Sequence, residues 1–339
     1  MKKILLYTCV VLAMAQLAPD VFGQIDRERE KRGQSGLQFL DISINPRAAA
    51  MGDALSAVDL NSSVAMFYNP ATMARLEGIS LGFGTAQWFA DINYSNASMA
   101  ISPANGRFGV FGVSVIAVDY GELEGTIIDG DPAGPGYIET ANFSPSALAI
   151  GIGYAKALSD RFSIGGNLRY AHQDLGDSQM TTDGEMQENT VNAPVADFGV
   201  LYNTGFRSLN LAVTARNFSP AVTYEAESFE APLSLNIGMS MNLLDVLAPS
   251  ATGDHAFLMA VEAGHPRSYA EQIRLGGEYQ FMDLLFLRAG YTFPTDEQGI
   301  NLGGGLNLGV GNFRISADYA FSQFGDLGNV NRIGLQVGF

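Results

Sequence analysis

Near the C-terminus, Ile333, Leu335, Val337 and Phe339 alternate with Gly334, Gln336 and Gly338. A period of two belongs to a strand with one apolar face and one small or polar face. The same alternation sets Phe313, Ile315, Ala317, Tyr319 and Phe321 against Arg314, Ser316, Asp318 and Ser322, and Ile273, Leu275, Tyr279 and Phe281 against Gln272, Arg274, Glu278 and Gln280. Followed along the chain, it predicts strands near 79–89, 92–103, 107–119, 142–157, 161–174, 191–203 and 207–217, then near 231–243, 254–264, 269–281, 284–293, 299–310, 312–322 and 331–339. These run about ten residues, as a tilted strand needs to cross a bilayer, whereas soluble strands usually stop at about five or six. Aromatics gather near strand ends, at Phe281, Tyr291, Phe293, Tyr319, Phe321 and Phe339, as an interfacial girdle requires. The expected fold is all-β: a transmembrane antiparallel β-barrel of about 14 strands over residues 79–339, closed because lipid cannot satisfy an open sheet edge.

The predicted connections alternate between short and long. Ala104-Asn105-Gly106, Leu158-Ser159-Asp160, Thr204-Gly205-Phe206, Met282-Asp283 and Gly311 form the short set, suited to tight periplasmic hairpins. The stretch 244–253 breaks the rule. The long set, near 120–141, 175–190, 218–230 and 323–330, faces outside and is acidic, with Glu122, Glu124, Asp177, Glu185, Glu225 and Glu227 among its residues. Its default role is that of solvated loops. Asp129-Gly130-Asp131 offers two carboxylates to calcium, but one such pair lacks a full oxygen cage.

Composition supports a membrane sheet. Charged residues are only 16% of the 339 positions, glycine reaches 39, and the net charge of −16 argues against nucleic acid as a partner. Mean hydropathy is +0.10. No uninterrupted apolar run approaches about 18 residues, so a bundle of spanning helices is excluded. Lys2 and Lys3 before an apolar run from Ile4 to Ala15 read as a signal peptide over 1–23, cleaved after Gly23 or after Ala15. The one cysteine, Cys9, lies inside it, which leaves the mature chain without disulfide, zinc thiolate or cysteine nucleophile. Residues 24–35, dense in charge from Asp26 to Arg32, read as an exposed periplasmic tail.

Residues 36–78 differ from the rest. They are rich in small side chains, and Pro70 forces Asn69 out of helical geometry, so short helices and turns are expected. Such a piece before a closed barrel is a natural hatch for its lumen; a soluble periplasmic cap is the other reading. Here Gly36-Leu37-Gln38-Phe39-Leu40, Arg47-Ala48-Ala49-Ala50-Met51-Gly52-Asp53-Ala54 and Tyr68-Asn69-Pro70-Ala71 resemble the opening of the PorV/PorQ family, itself similar to FadL-type barrels. Thr72 stands where such families usually carry glycine.

The resemblance implies an outer-membrane barrel of the type IX secretion system of Bacteroidota-like bacteria, surrounded by lipid and lipopolysaccharide. PorV-like members bind the C-terminal signal domains of exported cargo at the translocon and pass them to the surface attachment machinery. A FadL-like channel for hydrophobic small molecules is the alternative. Arg47, Met51, Gly52, Asn69, Pro70 and Ala71 match the family's hatch motifs and read as structural, with Arg47 pairing with Asp53 or Asp59. No catalytic, cofactor or metal site is expected. His172, His255 and His265 lack metal spacing, and His172 is the sole candidate for a lipid hydrolase. Gly303-Gly304-Gly305 and Gly151-Ile152-Gly153 mimic nucleotide loops without the following Lys-Ser/Thr, and read as strand glycines.

Overall fold

The computed structural model describes residues 33, 35–104, 106–129, 134–179, 184–224, 227–251 and 253–339. The expected leader, nearly all of the charged tail, and Gly130 and Asp131 of the calcium candidate lie outside the described residues. Fourteen strands form one closed barrel: β1 (Ile79–Gln87), β2 (Asn93–Ile101), β3 (Val110–Asp119), β4 (Ser146–Ala157), β5 (Phe162–Ser178), β6 (Gln187–Asn203), β7 (Asn210–Phe218), β8 (Ser234–Asn242), β9 (His255–Pro266), β10 (Gln272–Phe281), β11 (Leu285–Phe293), β12 (Gln298–Val310), β13 (Phe313–Phe324) and β14 (Asn329–Gly338). Each pairs antiparallel with the next. β14 returns to β1, with Ser80 opposite Gly338 and Gln87 opposite Asn331, so no backbone edge remains.

The alternation is inside-out, as lipid dictates. Phe83, Val113, Ile152, Ile237 and Ile333 are exposed on the outer surface, while Arg169, Asp197, Glu262, Glu278 and Arg288 are buried in the lumen. Aromatic pairs mark both rims: Phe111 with Tyr154 and Phe313 with Phe339 near the short turns, and Tyr291 with Phe293 near the long loops. At the tight turn between β10 and β11, Met282 and Asp283 both take left-handed φ, 53° and 55°. Phe281 opposes Leu285, so three residues make the connection, closed by Leu284 N donating to Phe281 O at 3.0 Å, and the left-handed pair is adopted without glycine.

The irregular stretch after β8 folds as a helical turn, Leu244–Leu247, followed by a short 3-10 turn, Pro249–Ala251. Asp245 accepts from Asn242 Nδ2 at 3.0 Å and from the Ser208 hydroxyl of the neighbouring short turn. The extra residues thus tie two turns together. At the opposite end the long loops carry small ribbons, Thr126–Ile128 with Tyr137–Glu139 and Val222–Thr223 with Ser228–Phe229.

Residues 35–78 pass through the lumen from the long-loop end to the short-turn end. They contain 3-10 turns at Gln38–Leu40, Ser63–Phe67 and Pro70–Met73 and one α-helical turn, α1 (Pro46–Ala50). The start is held by Gly36 N donating to Glu230 O at 3.1 Å; the exit by Ser102 N donating to Gly78 O at 2.9 Å and Ile79 N to Phe339 O at 2.7 Å.

Candidate functional site

The N-terminal segment fits because the inner wall is made of small residues at its level. A Cβ at Gly290 would lie 2.1 Å from Gly52 N, and one at Gly165 would lie 2.5 Å from Ala71 N. Gly276 meets the Met51 backbone, and Gly82, Gly112, Gly153, Gly199, Gly238, Gly303 and Gly334 leave room for side chains of the segment from Pro46 to Asn69. Ser98, Ala212, Ala260 and Ala320 are small, buried residues on the intervening strands β2, β7, β9 and β13. These inward-facing glycines are therefore a packing device, a wall thin enough for hatch side chains to nestle into it and, at Gly165, Gly276 and Gly290, for backbone to approach backbone.

The six motif residues all lie in this packed zone. Asn69 caps its 3-10 turn by accepting from Ala71 N at 3.0 Å, and its amide donates to Ser56 O at 2.6 Å and to Val200 O of β6 at 3.2 Å. Pro70 opens the turn and Ala71 sits against Gly165. Thr72 is fully buried, and its hydroxyl donates to Asn69 O at 2.9 Å. Met51 packs on Gly276 and Gly290, and Gly52 turns with φ +61° where a side chain would meet Tyr291 N.

Arg47 does not pair with Asp53 or Asp59. Its Nε and Nη2 donate to the two oxygens of Glu278, on β10, at 2.8 and 2.7 Å. Asp53 accepts instead from the Ser43 hydroxyl, and burial pushes the Asp59 carboxyl up against the opposing pull of Arg75. The sequence reading considered only acids close to Arg47 in the chain, whereas closure brings β10 beside α1. Glu278 also accepts from Arg288 Nε at 2.6 Å, and Arg288 Nη1 donates to Asp318 at 2.6 Å, so one ion-pair chain runs from the hatch across β10, β11 and β13.

Other contacts repeat this clamp. Glu262 accepts from Ser56 N at 2.9 Å and from Arg274 at 3.0 Å. Arg332 donates to Ser43 O at 2.7 Å with its guanidinium over the Trp88 ring. Sequence reasoning passed over these side chains, although each occupies a lumen-facing place in the alternation. Buried pairs of this kind contribute little net stability against apolar replacements, yet breaking one partner costs about 3–5 kcal/mol. Their effect is to fix one position for the segment. Tyr68, bonded to Asn45 N at 3.1 Å, has its phenol pushed up to about 12 by burial and by the Asp53 carboxylate, and stays protonated.

The lumen differs above and below the segment. Toward the long loops, Ala86, Ile116, Val118, Ala149, Val191 and Val195 form an apolar lining that packs against Leu37, Phe39 and Leu40. Toward the short turns lies a vestibule of about 970 Å³ lined by Arg47, Arg75, Glu77, Glu278, Arg288 and Arg314 among others. On the membrane-facing side a groove of about 510 Å³ is lined by Tyr154, Ile164, Phe198, Val200 and Val213, with Gly165 and Gly199 at its floor. Behind those two glycines stand Ala71 and Asn69.

The histidines sit apart on the outer surface. His172 Nδ1 bonds Asn192 at 2.8 Å, His255 the Tyr279 hydroxyl at 2.7 Å, and His265 Glu271 at 3.0 Å. His172 meets an amide where a hydrolase needs a serine. Among the described residues no group of His, Cys, Asp and Glu is arranged to hold a metal.

No family model matches the chain, and no curated protein matches it in sequence. Solved structures do. The Ralstonia pickettii toluene transporter TbuX superposes with a TM-score of 0.57 at 12% identity, over 87% of this chain and 97% of that one. The Pseudomonas putida toluene transporter TodX gives 0.54 at 12% identity, over 91% and 98%, and a Pseudomonas aeruginosa FadL homologue 0.50 at 13%, over 88% and 98%. These neighbours carry the FadL side of the resemblance and leave its type IX side without support. The chain has the fold of FadL-like outer-membrane transport barrels.

Proposed function

We propose that the protein is an outer-membrane channel for hydrophobic small molecules. The observation that carries this reading is the aliphatic inner wall that packs on the hatch toward the long loops, since a water-filled porin keeps its interior polar. A hydrophobic ligand arriving at the long-loop mouth meets an aliphatic wall packed on Leu37, Phe39 and Leu40, so its passage requires that part of the hatch to give way, and beyond the hatch lies a charged vestibule that disfavours it. The favourable exit is sideways, toward the apolar groove outside Gly165 and Gly199, whose strands β5 and β6 are paired at this level and part for the ligand to pass. Desolvation drives each step: leaving water for apolar surface is favourable by about 25 cal/mol per Å², and the membrane is the deepest sink along the path. The solved structures named as toluene transporters support the substrate class by analogy of fold.

Uptake of radiolabelled toluene into cells carrying the barrel tests this. The channel raises uptake above cells without it, and Ala193→Trp, which wedges a ring into the contact between the apolar wall and the hatch along the proposed path, returns uptake to background while the barrel remains heat-modifiable. Equal uptake with and without the protein contradicts the proposal. In the second reading, drawn from the likeness to PorV/PorQ, the loops hold cargo signal domains for type IX secretion. Co-purification of a large translocon or of secreted signal domains from gently solubilised membranes is the result that favours it.

A further inference from the structure

The wall at the long-loop end carries hydrogen-bond donors that the protein does not spend. Register sets Tyr94 of β2 opposite Val118, Val118 opposite Ala147, Ala147 opposite Gln173 and Gln173 opposite Val191, so these five inward residues share one level of the barrel. Three are aliphatic. Gln173 is satisfied, since its Nε2 donates to the Tyr120 hydroxyl at 3.1 Å and its Oε1 accepts from the Tyr224 hydroxyl at 3.2 Å. That network uses the proton of Tyr224 and leaves the proton of Tyr120 without an acceptor among the described residues. Tyr94, within electrostatic reach of Tyr120, is only 4% exposed, and its hydroxyl has no hydrogen-bond partner among the described residues. Two residues further along the same inward face, Asn96 is buried opposite Ile116, and its Nδ2 also lacks an acceptor.

Donors set in an aliphatic wall and left unmet are costly. A plain hydrocarbon passing them shuts out water and meets none of them, whereas a molecule of the same shape with an accepting oxygen does. We propose that the wall beside the outer mouth selects hydrophobic molecules carrying one neutral oxygen acceptor, ketones above all. Tyr94 and Tyr120 donate to the oxygen, and Asn96 takes it over as the molecule moves inward. The inference rests on the channel reading and narrows its substrate class. Tyr120 and Tyr224 are half-buried, so the cluster is reached from the mouth, and the apolar body lies along Val118, Ala147 and Val191 once the hatch yields. The charges nearby favour a neutral ligand over an anion. The Asp174 carboxylate acts on Tyr224. Arg332, over the Trp88 ring that packs edge-on to Tyr94, is already spent on Ser43 O and the Ser322 hydroxyl.

Competition against the uptake of radiolabelled toluene by cells carrying the barrel tests the selection. The competitors are acetophenone and α-methylstyrene, nearly equal in shape, with a carbonyl in the first where the second has a methylidene group. The quantity read is the ratio of their half-inhibiting concentrations, alkene over ketone, which compares the two within each protein. The expected result is a ratio lower by about tenfold in Tyr94→Phe, which keeps the ring, and lowered also in Asn96→Leu. An equal ratio in wild type and both variants, with all three heat-modifiable and importing toluene, overturns the selection and leaves the channel standing. A wild type that imports no toluene refutes the channel reading, and the selection falls with it.

Discussion

Asp41 is a single side chain whose environment sets a pH dependence. Burial raises its carboxyl above the ordinary value of 3.8 more strongly than Arg216, Arg274 and Arg169 lower it. Between 3.8 and the raised value the folded chain keeps a proton that the unfolded chain releases, so stability is full below that window and falls as pH rises through it. Asp41→Asn should remove this loss: its heat-modifiability transition on gels lies above wild type at neutral pH and merges with it near pH 3.5. Identical transitions at both pH values contradict the assignment. Glu278 gives a second residue-scale test. Glu278→Ala strands Arg47 in the hatch and removes one of two acids from Arg288, and should lower stability by about 3–5 kcal/mol. Limited proteolysis of the hatch checks it, with Arg47→Met expected to be milder because Glu278 keeps Arg288.

At the scale of elements, the glycine-lined wall and the hatch are one fitted joint. Gly290→Val drives a side chain into the backbone at Met51 and Gly52 and should free the hatch to protease, at a cost of about 1–3 kcal/mol or more. Gly309→Val, where nothing lies within 4 Å, should leave protection unchanged. Deleting 121–141 removes a ribbon whose two strands pair with each other, along with the Leu123–Phe143 bridge, and should leave the barrel heat-modifiable as before. The strands were legible because lipid outside and a packed lumen inside impose strict alternation, and each of the fourteen appears where the pattern puts it. The hatch was legible as short turns around Asn69-Pro70-Ala71. Its clamp was not: Arg47 and Glu278 are joined by barrel closure, a contact no local pattern carries. The turn at 244–253 was illegible for the same reason, since Asp245 answers to Ser208 on a neighbouring hairpin.

For the whole molecule, the segregation of surfaces is the central feature. Aliphatic side chains face outward over the membrane band and form one side of the inner wall toward the long loops, while paired charges such as Arg169–Asp197 and Arg274–Glu262 hold the hatch and further charges line the vestibule below it. Under the proposed function, a hydrophobic solute follows the aliphatic wall from the mouth toward β5–β7 once the hatch yields, and avoids the charged vestibule. Liposomes containing the purified barrel should take up toluene into the bilayer faster than empty ones. The most direct measurement of this account is toluene uptake by cells carrying the wild-type barrel, Ala193→Trp and Ala215→Trp, the last filling the groove outside Gly165 and Gly199. The account predicts uptake well above background for the wild type and close to background for both variants, with all three heat-modifiable and present at equal levels. Wild-type uptake no faster than that of cells lacking the protein, or undiminished uptake in both variants, contradicts it.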